Sequence, residues 1–130
     1  MSQFASADQV YDTIGVFLAQ ITQDPDLRPK FVDAATSFRV TYHDPDAVMV
    51  VDCTQDPPVV TCGDASIPTE INLSMSADDG HSFWMGTLNM TVALAKRRVK
   101  VAGPMSKMMK LLPAMRPAFP KYQAFLADRA

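Results

Sequence analysis

The chain has 130 residues, 48% hydrophobic and 20% charged, with a formal net charge of −2. That length fits one domain, read as spanning 1–130, and that balance excludes a disordered chain. No apolar run approaches the roughly 18 residues of a membrane span. The amino terminus, MSQFASADQVYD, has no basic stretch followed by an apolar one, so no secretory signal is read and a cytoplasmic location is expected. Cys53 and Cys62 are then expected as reduced, buried thiols on neighbouring strands, near enough to pair. Without a histidine pair beside them they make a poor zinc site, and no metal or other cofactor is expected. Charge is unevenly spread: residues 1–95 hold three basic and thirteen acidic side chains, whereas 96–130 hold nine basic and one acidic. Either the halves neutralise each other or the basic one meets an anionic partner. A nucleic acid is a poor candidate, because the basic residues alternate with apolar ones rather than exposed aromatics.

In chain order, Ser6 and Gln9 have capping-box spacing. Val10, Ile14, Phe17, Leu18 and Ile21 come next as one helical stripe, ending near Gln23 before Asp24-Pro25. A short helix over Lys30 to Ala35 is expected, with Pro29 limiting its backward extent. The period then changes to two. Strands are read at Ser37–His43, Ala47–Thr54 and Val59–Cys62, joined by turns at His43–Asp46 and Asp56-Pro57-Pro58. A fourth strand spans Thr69–Met75. Ser76-Ala77-Asp78-Asp79 caps a helix carrying Phe83 and Trp84, which Gly86 ends. After a helical connector over Leu88–Ala95, a fifth strand runs from Arg98 to Val101. Pro104 opens a helix with Met105, Met108, Met109 and Leu112 at one spacing. Pro113 is expected to interrupt it, and Pro117 and Pro120 to break the segment beyond; Lys121–Asp128 is the last helix. The order predicts an α+β fold: a five-stranded mixed, mostly antiparallel sheet with helices on one face, enclosing an apolar cavity. Alternation in every strand predicts a solvated opposite face.

Catalytic chemistry has little support in the sequence. No G-x-S-x-G, H-E-x-x-H or Walker-type loop is present. His43 lies beside Asp44 and Asp46, but adjacent strand residues point apart. His81 reads as an exposed helix position, and the helix N-terminus accounts for Asp78 and Asp79. What the chain has in excess is methionine: seven of its nine lie between Met75 and Met115. Flexible thioether side chains suit a wall that adapts to variable apolar guests, although they also serve an ordinary core. The proline-broken stretch from Pro113 to Pro120 is a candidate movable cover.

Three runs carry a resemblance: Glu70-Ile-Asn-Leu-Ser-Met-Ser-Ala-Asp-Asp79, Phe83-Trp84-Met-Gly86-Thr-Leu-Asn89, and Arg97-Arg-Val-Lys-Val-Ala-Gly103-Pro-Met-Ser-Lys-Met-Met-Lys-Leu-Leu112. Their order and spacing resemble the sterol carrier protein type-two family over nearly the whole chain. The resemblance implies an apolar tunnel between sheet and helices holding a fatty acid, acyl-CoA, sterol or similar lipid. It implies a non-enzymatic lipid-binding or lipid-transfer module, or alternatively an accessory partner of a lipid-metabolising enzyme. On that reading the wall comprises Phe17, Ile21, Leu73, Met75, Phe83, Trp84, Met105, Met108, Met109, Leu112 and Phe125. Lys100, Lys107, Lys110 and Arg116 would meet an anionic headgroup or membrane surface. Two departures stand out: Gln55-Asp56-Pro57-Pro58 replaces a Gly-rich turn, and the ending Asp128-Arg129-Ala130 is no peroxisomal address.

Overall fold

The computed structural model describes residues 3–129, so Ala130 of the terminal tripeptide and the first two residues of the amino-terminal stretch lie outside it. Its first helical rod runs through α1 (Ala7–Val10), a π-helical turn (Tyr11–Gly15) and α2 (Val16–Ile21). Ser6 Oγ accepts from Gln9 N–H, and the Gln9 side chain reaches back one residue further than a capping box requires, to Ala5 N–H at 2.8 Å. The π turn adds a residue per turn where the rod crosses the sheet. There Gly15 is buried, and a Cβ on it would stand 3.0 Å from Cys62 Sγ, so the approach depends on glycine. Helix α3 (Arg28–Ala34) starts earlier than the sequence predicts, because Pro29 fits its first turn, where no amide partner is lost.

The sheet comprises β1 (Ser37–His43), β2 (Ala47–Asp52), β3 (Val59–Cys62), β4 (Ile71–Ser76) and β5 (Lys100–Ala102), in spatial order β3-β2-β1-β4-β5. The first three form an antiparallel meander, β4 runs parallel to β1, and β5 is antiparallel to β4. The helices α4 (Ala77–Met85), α5 (Met90–Ala95), α6 (Met105–Met115) and α7 (Phe119–Arg129) complete the fold. The inward residues Phe38, Val40, Tyr42, Met49, Val51, Ile71, Leu73 and Met75 all join one buried cluster with the helices.

The fold corrects three expectations from the sequence. The far side of the sheet is not wholly solvated: Val50 is buried outside the main cluster, although it alternates with the inward Met49 and Val51. Because β4 lies beyond β1, the 63–70 connection must cross that face. The Arg39 guanidinium fastens it by donating to the carbonyls of Ala65 at 2.9 Å and Ile67 at 3.4 Å. The cysteines are neither both buried nor near each other. Cys53 is buried and Cys62 exposed, and Cys62 pairs with Met49, four positions along β2 from Cys53. At about 3.3 Å per residue that separation, roughly 13 Å, exceeds disulfide reach. Burial pushes the Cys53 thiol up to about 12, which keeps it protonated and unreactive.

Finally, Pro113 does not end α6. The carbonyl it leaves without a helical donor belongs to Met109, and both residues are exposed, so water can reach that side of the helix. The break comes later, at the 3-10 turn Arg116–Ala118, and Pro120 sits in the first turn of α7. Leu111, Ala114, Met115, Ala118 and Tyr122 are all buried, so this segment is docked along its length.

Candidate functional site

An enclosed apolar site lies between β1, β4 and the helices. Parallel pairing sets Val40 beside Leu73 and Tyr42 beside Met75, and with Phe38 these inward residues make the floor. Leu18 of α2, Gly80, Phe83 and Trp84 of α4, Met90 of α5, and Met108 and Met115 of α6 close it. Four methionines thus line one pocket. The void among them is about 20 Å³, room for roughly one water molecule.

Helix α4 presents its roof residues because its ends are fixed. Ser76 Oγ accepts from Asp79 N–H at 3.0 Å, and Gly86 (φ 80) ends the helix in the left-handed conformation. Spacing of three and four then aims Gly80, Phe83 and Trp84 at the sheet. Trp84 meets Phe17, Phe83 and Phe119 edge-on, with ring centroids 5.6, 5.0 and 6.4 Å away. Asp79 has a second role beyond the helix dipole: it is buried and its carboxylate pairs with Arg98, tying α4 to the strand-leading turn.

Of the wall residues expected from the sequence, Leu73, Met75, Phe83, Trp84 and Met108 surround this pocket. Phe17, Ile21 and Phe125 do not. They line a separate surface groove between α2 and α7, where Lys121 pairs with Asp24 and Arg129 lies over the Phe125 ring. Met105 and Met109 are each 58% exposed and Leu112 is half-buried. The sequence stripe on α6 is therefore misplaced by about one residue: Met108, Leu111 and Met115 face inward. Packing of α6 against α3, with the Lys107–Glu70 ion pair at its first turn, sets that rotation. The signal for the missing wall residues was strand alternation, which already aimed Phe38, Val40 and Tyr42 inward; Met90 and Met115 had none.

The four cations expected at a headgroup do not share one surface. Lys100 pairs across the ladder with Ser74, on the sheet face away from the helices. Lys107 is held by Glu70, whose carboxyl it keeps below the usual range, aided by Thr36. Lys110 is exposed on α6 beside Met109 and Pro113, and Arg116 is exposed at the start of the 3-10 turn.

Both histidines differ from expectation. Asp44, at φ 55, turns its carboxylate back onto His43 Nδ1 at 2.8 Å, so these neighbours do meet, on an exposed turn. His81 is half-buried rather than exposed. Its Nδ1 lies 2.8 Å from the hydroxyl of fully buried Tyr122, and Phe4 stacks edge-on against it. Burial lowers its pKa below 6.5, opposed by Asp78. Burial also raises the Tyr122 phenol to about 12, so the hydroxyl stays protonated and can donate to the imidazole. No group of three or more His, Cys, Asp or Glu able to hold a metal occurs among the described residues. No helix among them is long and apolar enough to cross a membrane.

No protein-family model and no curated protein matches this sequence. Solved structures do. The sterol carrier protein domain 2 of Helicoverpa armigera superimposes with a TM-score of 0.73 at 17% identity, over 92% of this chain and 95% of that one. The chain has the sterol carrier protein type-two fold. Apo sterol carrier protein 2 from Yarrowia lipolytica gives 0.63 at 17% identity, over 86% and 91%. UbiJ-SCP2, a ubiquinone synthesis protein, gives 0.61 at 12% identity, over 82% and 89%. At such identities the likeness speaks for the fold. The pocket between floor and roof belongs to this chain's own side chains.

Proposed function

We propose that the protein is a lipid-binding module, whose guest enters between the β1/β4 floor and the α4–α6 roof. The observation that carries this reading is the lining: apolar side chains throughout except the Tyr42 phenol and Trp84 indole, four of them methionines, in a fold shared with named sterol carrier proteins. Burying a methylene contributes about 0.8 kcal/mol, so an acyl chain of ten contributes roughly 8 kcal/mol before ordering costs. That gain is what would offset the cost of parting the roof. Met90, Met108 and Met115 supply three thioether chains that can change rotamer as it opens. Loading on this reading requires the roof to part from the floor.

The closed state favours a second reading. A void of about 20 Å³ holds no lipid as it stands, which is what an accessory protein with a permanently filled core would show. UbiJ-SCP2, with the same fold, is a ubiquinone synthesis protein; partnership with an enzyme acting on a lipid-like substrate is the corresponding role here.

Trp84 separates the two readings, because it lines the pocket and is the only tryptophan in the chain. Titration with a long-chain fatty acid is expected to shift and saturate its emission at micromolar concentrations. An emission spectrum indifferent to fatty acid, acyl-CoA and sterol alike leaves the accessory role.

A further inference from the structure

We infer that the outer face of α6 is the docking site for an acidic amphipathic helix of a partner protein. This gives the accessory role a surface, yet it holds whether or not the pocket loads, because the face lies outside the pocket. Met108 and Met115 of α6 turn to the pocket. Met105 and Met109 are left at 58% exposure, more than any other large apolar side chain among the described residues. Half-buried Leu112 and exposed Pro113 follow at i+7 and i+8 from Met105, so the four share one side of the helix over about two turns. A groove between α3 and α6 runs beside them, with Ala34, Met109, Pro113 and Ala114 along it.

Charge decides what can cover this stripe. Lys30 of α3 and Lys110 of α6 stand on the groove, and Asp33 is the one carboxylate among its lining residues. Arg116 lies about three turns beyond Met105 on the same side of α6. All three cations are exposed, and none has an ion pair among the described residues. A second copy of the chain is a poor occupant: in a two-fold contact along α6, Lys110 at mid-helix would meet the same cation of its neighbour. A helix with aliphatic residues on one face and carboxylates flanking them satisfies both features at once. Its apolar side chains enter between Met105, Met109 and Leu112, and its acids reach Lys30, Lys110 and Arg116. Unbranched thioether side chains suit such a contact, because they adjust to the shape of the incoming residues.

Two labelled synthetic helices of about 18 residues, each with leucine along one face and either glutamate or lysine along the other, are titrated with full-length protein and followed by fluorescence anisotropy. The glutamate helix is expected to bind at least about tenfold more tightly than the lysine helix, and to weaken with added salt. Met105→Gln/Met109→Gln is expected to lower its binding about tenfold. Lys110→Glu/Arg116→Glu is expected to reverse the preference in favour of the lysine helix. Val59→Gln, at another exposed apolar position on β3, is expected to bind as wild type. Circular dichroism checks each fold, and Met109→Gln alone gives about a threefold loss should the double variant not fold. In methyl-labelled protein the Met105 and Met109 signals are expected to shift on binding, while that of pocket-lining Met75 stays in place. No binding, equal binding of the two helices, or wild-type binding by the methionine variant overturns the inference. So does a dimer, or attachment to anionic vesicles, that the same methionine substitutions abolish, since either assigns the face to another occupant. None of these results moves the Trp84 titration, so the pocket is judged separately.

Discussion

Gly80 shows how closely the pocket is drawn at the level of single atoms. A Cβ there would stand 2.5 Å from Cε1 of Tyr42, a side chain buried on every side. Helix α4 therefore rests its backbone directly on the ring that forms part of the floor. Gly80→Ala forces the helix or the ring aside, although alanine is the better helix former. The substitution is expected to destabilise the protein by about 1–3 kcal/mol in urea unfolding; a stabilised variant would show that α4 does not sit this low. The same helix carries His81, whose pairing with Tyr122 has a pH signature. Its folded-state pKa lies below the ordinary 6.5, chiefly through burial. The unfolded chain therefore takes up the proton first, so this residue's contribution is complete above about 6.5 and is lost as pH falls towards the lower folded value. Stability measured by urea midpoint is expected to fall across that window in wild type and less steeply in His81→Gln. Equal slopes would mean that the imidazole is as hydrated as in a free peptide.

At the scale of elements, α6 tests which apolar residues hold the fold. Its sequence offers two overlapping stripes, and the buried one contains Met108, Leu111 and Met115. Leu111→Ala is expected to cost about 2–5 kcal/mol, whereas Met105→Ala or Met109→Ala, at exposed positions, should stay within about 0.5 kcal/mol. Thermal unfolding midpoints would rank them; a large loss at Met109 with little at Leu111 would restore the stripe expected from the sequence. Strands were more legible than this helix for a physical reason. A strand's two-residue period leaves only two faces, so Phe38, Val40 and Tyr42 could be assigned inward at once. Around a helix rich in apolar residues, rotation by one position exchanges one acceptable stripe for another, and only α3 and the Lys107–Glu70 pair decide. The reading of Pro113 failed similarly, because tolerance of a proline depends on whether the carbonyl it frees faces water.

Across the whole molecule, the element order was readable because caps, prolines and glycines mark it: Ser76 and Gly86 bound α4, and turn prolines bound the meander. The site was readable only in part. Leu73, Met75, Phe83, Trp84 and Met108 were placed at the pocket by local period, whereas Phe17, Ile21 and Phe125 fell on the other side of Trp84, a distinction made by helix packing rather than by spacing. The four cations read as meeting a headgroup or membrane surface do not share a face, because pairing across β4 and β5 sends Lys100 to the far one. Closure of the pocket had no sequence signal at all. Four methionines line a void of only about 20 Å³, and on the proposed reading their flexibility is what would let the roof part for a chain that brings more apolar contact than it displaces.

Native mass spectrometry of gently purified protein, before and after solvent extraction, tests that opening most directly. The account predicts a second population heavier by one lipid, lost on extraction and regained when a long-chain fatty acid is returned. A single bare mass under every condition, with no adduct after loading, would contradict it.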